Sequence, residues 1–334
     1  MSAMFAAHVV PTRKKKSRAA TFAENNFVAL SEKVARNGVF SIFFQKILML
    51  FRMNDKSSHF FSCKNRISGE KRNEFSFFRT TKKVKTLAFS QTYTILPQKI
   101  FSEMKIAVLL SGCGVYDGAE IHESVLTLLA LDKAGVETFC IAPDVEQFHV
   151  VNHLDGSEMK ERRNILVEAA RIARGNVRAL SSVNLSEFDG LAIPGGFGVA
   201  KNFTKWAFSG PDGEITPEIK NFLLECIRGG KPIAALCMSP VVLAKALEGT
   251  EVKLKLTVGN LEEASPYDIG GISAGISKTG AIPNMCGKTD LIFDDLNNIV
   301  TSPCYMMEAS ISEVFEGIEK TMSKLIEMVM LTKE

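Results

Sequence analysis

From residue 105 onward the chain alternates between short apolar runs and stretches of helical period. Residues 105–110 (Lys-Ile-Ala-Val-Leu-Leu) read as a buried strand. A glycine-rich loop follows, and residues 120–134 then carry apolar positions at Ile121, Val125, Leu128 and Leu129, the spacing of one helix face. Ala134-Gly135 stops that helix, and residues 137–142 form the next strand. The same reading predicts helices over 163–173 and 215–228 and a strand over 190–194. A short apolar run then ends at Cys237, and Ser239-Pro240 opens a helical pattern through Val241, Val242 and Leu247. Strands near 254–258, 290–293 and 298–302 and a closing helix over 308–330 complete the series. Strands alternating with helices predict an α/β domain whose mostly parallel sheet is covered on both faces. Ligands in such sheets gather at the carboxyl ends of the strands. Three unusual loops fall there: 111–120, 194–200 and 237–240.

The first 104 residues lack a consistent period, and charge sharpens the contrast. They hold 19 Lys and Arg against 6 Asp and Glu, a net of +13. The remaining residues hold 21 against 31, a net of −10, so the overall +3 conceals two unlike halves. Of 24 glycines, 22 lie after residue 104, whereas 14 of 23 phenylalanines lie before it. The domain boundaries are therefore placed at 1–104 for a disordered basic leader and 105–334 for one folded domain. Residues 38–53 are apolar, but Lys46 and Arg52 interrupt them and the run is too short for a membrane span. Basic, acid-poor and Ser/Thr-containing, the leader fits a mitochondrial targeting presequence. A start of translation at Met104 is the alternative, which would leave the protein cytoplasmic. The basic arm carries no recognised nucleic-acid-binding motif, so a nucleic-acid partner is not expected.

The chemistry concentrates in the three loops. Cys237 sits where a strand turns sharply into a helix, the arrangement of a nucleophile elbow. A helix N-terminus behind it favours the thiolate, so a depressed pKa is expected. A buried structural cysteine is the other reading. Pro194-Gly-Gly-Phe-Gly198 brings backbone N–H groups close to whatever lies beside it. Next to an elbow, the N–H groups of Gly196 and Met238 form an oxyanion hole; taken alone, the segment is a tight turn. Glu120 opens the first helix, where an acidic residue complements the helix dipole, and it is also a pocket candidate. Glu123, one turn on, leans toward Cys237, and the two would share their protons as a coupled pair. His122, His153 and Cys113 belong to the same loops or their neighbours and are pocket candidates, with plain hydrogen bonding as the alternative for each histidine. Asn164 and Arg163 open a helix and read as solvent-facing. The seven cysteines form no CxxC pair and no metal-ligand spacing, so no metal and no disulfide framework is expected.

Residues 110–123 (LSGCGVYDGAEIHE), 193–202 (IPGGFGVAKN) and 299–306 (IVTSPCYM) together resemble the ThiJ/PfpI superfamily, in particular its ElbB branch of glyoxalase-like proteins. The resemblance spans 105–334 and none of the leader. It implies a single three-layer, flavodoxin-like fold of the class I glutamine amidotransferase type. It also implies Cys237 as nucleophile, Glu123 as its acid partner, oxyanion N–H groups from Gly196 and Met238, Tyr305 in the pocket, and a homodimer. Two departures stand out. Ser239 occupies a position where related enzymes often carry Gly, and no histidine follows Cys237, whereas the usual triad takes its base from there.

Three functions follow from these residues. The first is a cofactor-independent cysteine enzyme that converts small α-oxoaldehydes to hydroxy acids. The second is a redox-sensing or purely structural protein, since an exposed thiol beside a protonated Glu stops at sulfinic acid. The third, a glutaminase-type amidotransferase acting on an amide, lacks its base. The expected partners are a small carbonyl or amide substrate and a second copy of the chain, with no stable membrane association.

Overall fold

The computed structural model describes residues 104–333 together with three short strands far upstream, Ala6–His8, Phe61–Asn65 and Asn73–Phe77, which pair antiparallel in that order. The rest of the leader, including both basic clusters and residues 38–53, lies outside the described residues.

The domain is built on seven strands. In chain order these are β1 (Lys105–Leu109), β2 (Glu137–Ala142), β3 (Val177–Ala179), β4 (Gly190–Ile193), β5 (Ile233–Leu236), β8 (Ile292–Asp294) and β9 (Ile299–Ser302). Their order across the sheet is β8-β9-β5-β4-β1-β2-β3, and every pairing is parallel except β8 with β9. Two further short strands, β6 (Lys255–Leu256) and β7 (Ile282–Pro283), pair with each other beside it. The fold is the α/β, mostly parallel architecture expected from the sequence. Strands β4 and β5 are buried at every position, as strands covered on both faces must be.

Among the described residues, six helices of eight residues or more accompany the strands: α1 (Ile121–Lys133), α2 (Ile165–Ile172), α3 (Pro217–Arg228), α4 (Pro240–Leu247), α5 (Ile269–Lys278) and α6 (Ile311–Thr332). Glu120 caps α1, its carboxylate accepting the Glu123 N–H at 2.6 Å. Asn164, read from sequence as solvent-facing, instead caps α2 and donates to Asp144 at 2.8 Å. Ser310 and Glu313 close a capping box on α6, the longest helix, which packs on α1. The chain runs outward from β1 to β2 and β3, then returns to the other side of β1 with β4. This reversal opens a crevice between β1 and β4 at their carboxyl ends. The loops after β1, β4, β5 and β9 converge there.

Candidate active site

Cys237 leaves β5 with φ of 57°, a left-handed conformation that a side-chain-bearing residue adopts at a cost of roughly 1–2 kcal/mol. The turn lifts its side chain over the sheet end, and only 5% of the residue is exposed. Pro240 occupies the first turn of α4, as expected, but Ser239 does not cap it. Ser239 already has helical backbone angles, so its hydroxyl cannot fold back onto the first N–H groups. It donates instead to the Pro194 carbonyl at 2.8 Å and ties the elbow to the glycine turn after β4.

Glu123 lies beside the sulfur with no exposed surface. Its two oxygens face two backbone donors: Oε2 accepts the Gly195 N–H at 2.9 Å and Oε1 the Tyr305 N–H at 3.2 Å. A third hydrogen bond joins it to the Cys237 thiol. Burial, reinforced by the Glu120 charge, pushes the Glu123 carboxyl up to about 8 despite these donors. Burial also pushes the Cys237 thiol well up, with the Glu123 charge adding to it and the Gly196 N–H, aimed at the sulfur, partly opposing it. The depressed thiol expected from the helix N-terminus is thus overturned: desolvation outweighs the dipole. At neutral pH the pair rests with both protons in place.

Gly195 explains the closeness of this packing. A Cβ there would meet the Cys237 Cβ, the Glu123 Oε2 at 2.7 Å and the Cys237 sulfur at 2.9 Å. The Cys237 Cβ is fixed by its backbone, and the Glu123 oxygen is held by the Gly195 N–H in a buried setting. Gly195→Ala is therefore expected to destabilise the fold by about 1–3 kcal/mol and to separate thiol from carboxyl. Thermal unfolding and the Cys237 alkylation rate measure the two effects.

Gly196 (φ 98°) and Met238 flank the sulfur, and the Met238 N–H takes no backbone carbonyl among the described residues. Glu120 is buried, its carboxyl raised by desolvation, and its N–H donates to the Gly195 carbonyl at 2.9 Å. The loops on either side of the crevice are held together by Asn202, whose amide donates to the Ser111 and Asp117 carbonyls at 2.9 and 3.0 Å.

The histidines take other partners. His122 Nδ1 lies 2.9 Å from the Tyr305 hydroxyl, so these two form the exposed rim of the crevice. His153 accepts the Tyr116 N–H at 3.1 Å, stacks on that ring and lies 3.8 Å from the buried Asp117 carboxylate. It braces the loop after β1 and is hydrogen-bonded away from Cys237. Cys113 faces the other way as well: it lines a groove with Ile121, Val125 and Arg171 on the outer side of α1. Of the pocket candidates, His153 thus pairs with the loop after β1 and Cys113 with the outer groove, and that loop folds back on itself through the Gly114 N–H bond to Ala119.

Sequence reading missed two residues. Tyr267 precedes α5, and its hydroxyl is raised to about 12, first by burial and then by the nearby Cys237 and Glu123 charges. It stacks edge-on against Phe197 of the glycine turn. Cys304, fully buried just after β9, is also left-handed, with φ of 47°. Ser265-Pro266 before Tyr267 was a turn signal, but nothing local pointed that turn at the crevice. Among the described residues no cluster of His, Cys, Asp and Glu could hold a metal ion, and no helix is long and apolar enough to cross a membrane.

No family model matches the chain. Curated relatives do. The rat "ES1 protein homolog, mitochondrial" is 38% identical over 226 residues, 67% of this chain and 84% of that protein. The human "glutamine amidotransferase-like class 1 domain-containing protein 3, mitochondrial" is 38% identical over the same length, covering 83% of it. Among solved structures, an isoprenoid biosynthesis protein with an amidotransferase-like domain from Ehrlichia chaffeensis is 39% identical, with a TM-score of 0.61 over 67% of this chain and 99% of that one. The mitochondrial names agree with the localisation expected from the leader.

Proposed function

Since the chain belongs to the mitochondrial ES1 family of glutamine amidotransferase-like proteins, within the ThiJ/PfpI superfamily, we propose that it is a cofactor-independent cysteine enzyme that converts small α-oxoaldehydes to hydroxy acids. The observation that carries this reading is the buried Cys237–Glu123 pair on a left-handed elbow, with the Gly196 N–H aimed at the sulfur. The thiol adds to the aldehyde carbon, and its proton passes through Glu123 to the oxygen, giving a hemithioacetal. Glu123 then takes the proton from that carbon, forming an enediol, and delivers it to the neighbouring carbon, while the hydroxyl proton of the hemithioacetal passes to the second oxygen, leaving a 2-hydroxy thioester. Water releases the hydroxy acid from the resulting thioester. A carboxyl held near 8 suits both directions of transfer near neutral pH. The Tyr267 hydroxyl keeps its proton and is a donor for the substrate's second oxygen.

Two carboxyls, Glu120 and Glu123, stand at the crevice, which favours an uncharged carbonyl over an oxoacid. The amidotransferase reading finds no base in His122 or His153, which are hydrogen-bonded to the Tyr305 hydroxyl and the Tyr116 N–H. Consumption of methylglyoxal without glutathione, with formation of lactate, tests the proposal; the full-length protein should turn it over and Cys237→Ala should not.

The same reading takes the working unit as a homodimer. Helix α1 exposes Ile121 (44%), Val125 (46%) and Leu129 (43%), one stripe at four-residue spacing. The groove beside it carries both Asp132 and the pair Arg171 and Arg174, so the face offers opposite charges to a second copy of itself. Val125→Asp is expected to shift the protein from dimer to monomer in sedimentation equilibrium. A parent that sediments as a monomer removes this part of the proposal.

A further inference from the structure

Cys304 is fully buried beside the site, near enough for its charge to act on Cys237, yet the mechanism does not use it. Strands β5 and β9 are parallel neighbours with Leu236 opposite Ser302. The ladder continues one step further, the Cys237 N–H donating to the Ser302 carbonyl at 2.9 Å. Just beyond that bond each strand turns out of the sheet at a left-handed cysteine, Cys237 at 57° and Cys304 at 47°. Only four residues other than glycine have positive φ among the described residues, and two of them meet here. The Glu123 carboxyl bridges the two turns, one oxygen on Gly195 beside the Cys237 sulfur and the other on the N–H of Tyr305, the residue after Cys304. On this register Cys237 stands opposite Pro303, and Cys304 is one residue further along. A strand spacing of about 4.8 Å combined with a rise of about 3.3 Å gives a diagonal of about 6 Å, inside the range of roughly 4.4–6.8 Å that a disulfide spans between Cα atoms. The remaining buried thiols, Cys140 and Cys226, lie in β2 and α3, away from the elbow.

We propose that Cys304 is the resolving thiol for Cys237, so that oxidation of the site by a hydroperoxide ends in a reversible Cys237–Cys304 disulfide. The inference rests on the reading of Cys237 as the reactive thiol. In the first step the Cys237 sulfur attacks the outer oxygen of ROOH. The O–O bond breaks, ROH leaves with the thiol's proton, and Cys237 becomes the sulfenic acid. In the second step the Cys304 sulfur attacks the Cys237 sulfur. The S–O bond breaks and hydroxide leaves as water with the Cys304 proton, leaving the disulfide. Glu123 relays the proton in both steps and returns to its starting state. Sulfur is oxidised and the peroxide oxygen reduced, and a dithiol reductant reverses the outcome. The disulfide stops the enzyme while protecting its nucleophile from sulfinic acid, which thiol reductants do not recover.

The test treats the full-length protein with hydrogen peroxide, blocks remaining thiols with iodoacetamide, digests at acidic pH and maps the products by mass spectrometry. A Cys237–Cys304 linked peptide that disappears on reduction is expected from the parent. Cys304→Ser should instead accumulate sulfinic acid at Cys237 several-fold over the parent. The parent measurement stands without the variant if the serine protein fails to fold. Sulfinic acid at Cys237 of the parent with no linked peptide overturns the resolving role and leaves the reactive-thiol reading intact. A Cys237 that is neither oxidised nor alkylated overturns both.

Discussion

Cys237→Ala is expected to lower methylglyoxal turnover by about 10³-fold or more, the scale on which removal of a covalent nucleophile acts. Stability should change much less. The backbone at residue 237 is left-handed, and an alanine Cβ carries the same steric cost there as the cysteine Cβ. What the variant loses is the packing of one buried sulfur and its contacts with Glu123 and the Gly196 N–H, on the order of 1–2 kcal/mol. Cys237→Gly separates the two contributions. Glycine removes the left-handed penalty, so this variant should unfold at a temperature equal to or above that of the alanine variant, though its cavity is larger. An elbow that is more stable without its side chain carries strain for the sake of the chemistry. Thermal unfolding of the three proteins beside their turnover decides it. Turnover that survives in either variant would move the nucleophile away from residue 237.

The layers of the fold were legible because they depend on local patterns. Strand β2 spans the residues expected, and α1 runs between its cap at Glu120 and Ala134, because Ala134-Gly135 stops the helical period. Short elements escaped for the same reason. Strand β3 has three residues, and α5 has glycines in its first half. The turn of π-helix at Val199–Phe203 follows a glycine run that reads as loop. At the site, Cys237, Glu123 and the glycine turn were legible because each sits at the end of a readable strand or the start of a readable helix. Their electrostatics were not. The helix behind Cys237 argues for a thiolate, and only the burial of the assembled site shows that desolvation wins. Ser239 illustrates the same limit: its type suits a cap, but the elbow holds it in helical angles and sends its hydroxyl to Pro194. Tyr267 and Cys304 are brought to the crevice by chain segments far from the elbow in sequence, so no spacing rule reaches them.

Glu123→Gln should remove a titration that the parent shows in both stability and reactivity. In the folded protein the Glu123 carboxyl is raised to about 8, against an ordinary value near 4.5 in the unfolded chain. The native state therefore binds more protons between these values, and the stability this contributes is complete below about 4.5 and is lost as pH rises through about 8. The expected fall is on the order of a few kcal/mol across that window, and the curve is level above it. The glutamine variant has no such group, so its stability should be flat there. It should also start lower at acidic pH. The two oxygens of Glu123 face two N–H donors, and an amide must turn its own N–H toward one of them. Reactivity follows the opposite course in the parent. Loss of the first proton from the Cys237–Glu123 pair leaves one proton shared between sulfur and carboxyl, the state able to attack a carbonyl or an alkylating agent. Iodoacetamide labelling of Cys237 should thus rise through an apparent pKa near 8. Without the carboxyl, the thiol must lose its own proton, which burial holds well above the ordinary cysteine value. Labelling of Glu123→Gln at pH 8 should be slower by about tenfold or more, with its rise displaced to higher pH. Chemical denaturation and labelling across pH 5–10 measure both curves. Superimposable profiles for parent and variant would show that Glu123 neither titrates in this range nor exchanges protons with Cys237.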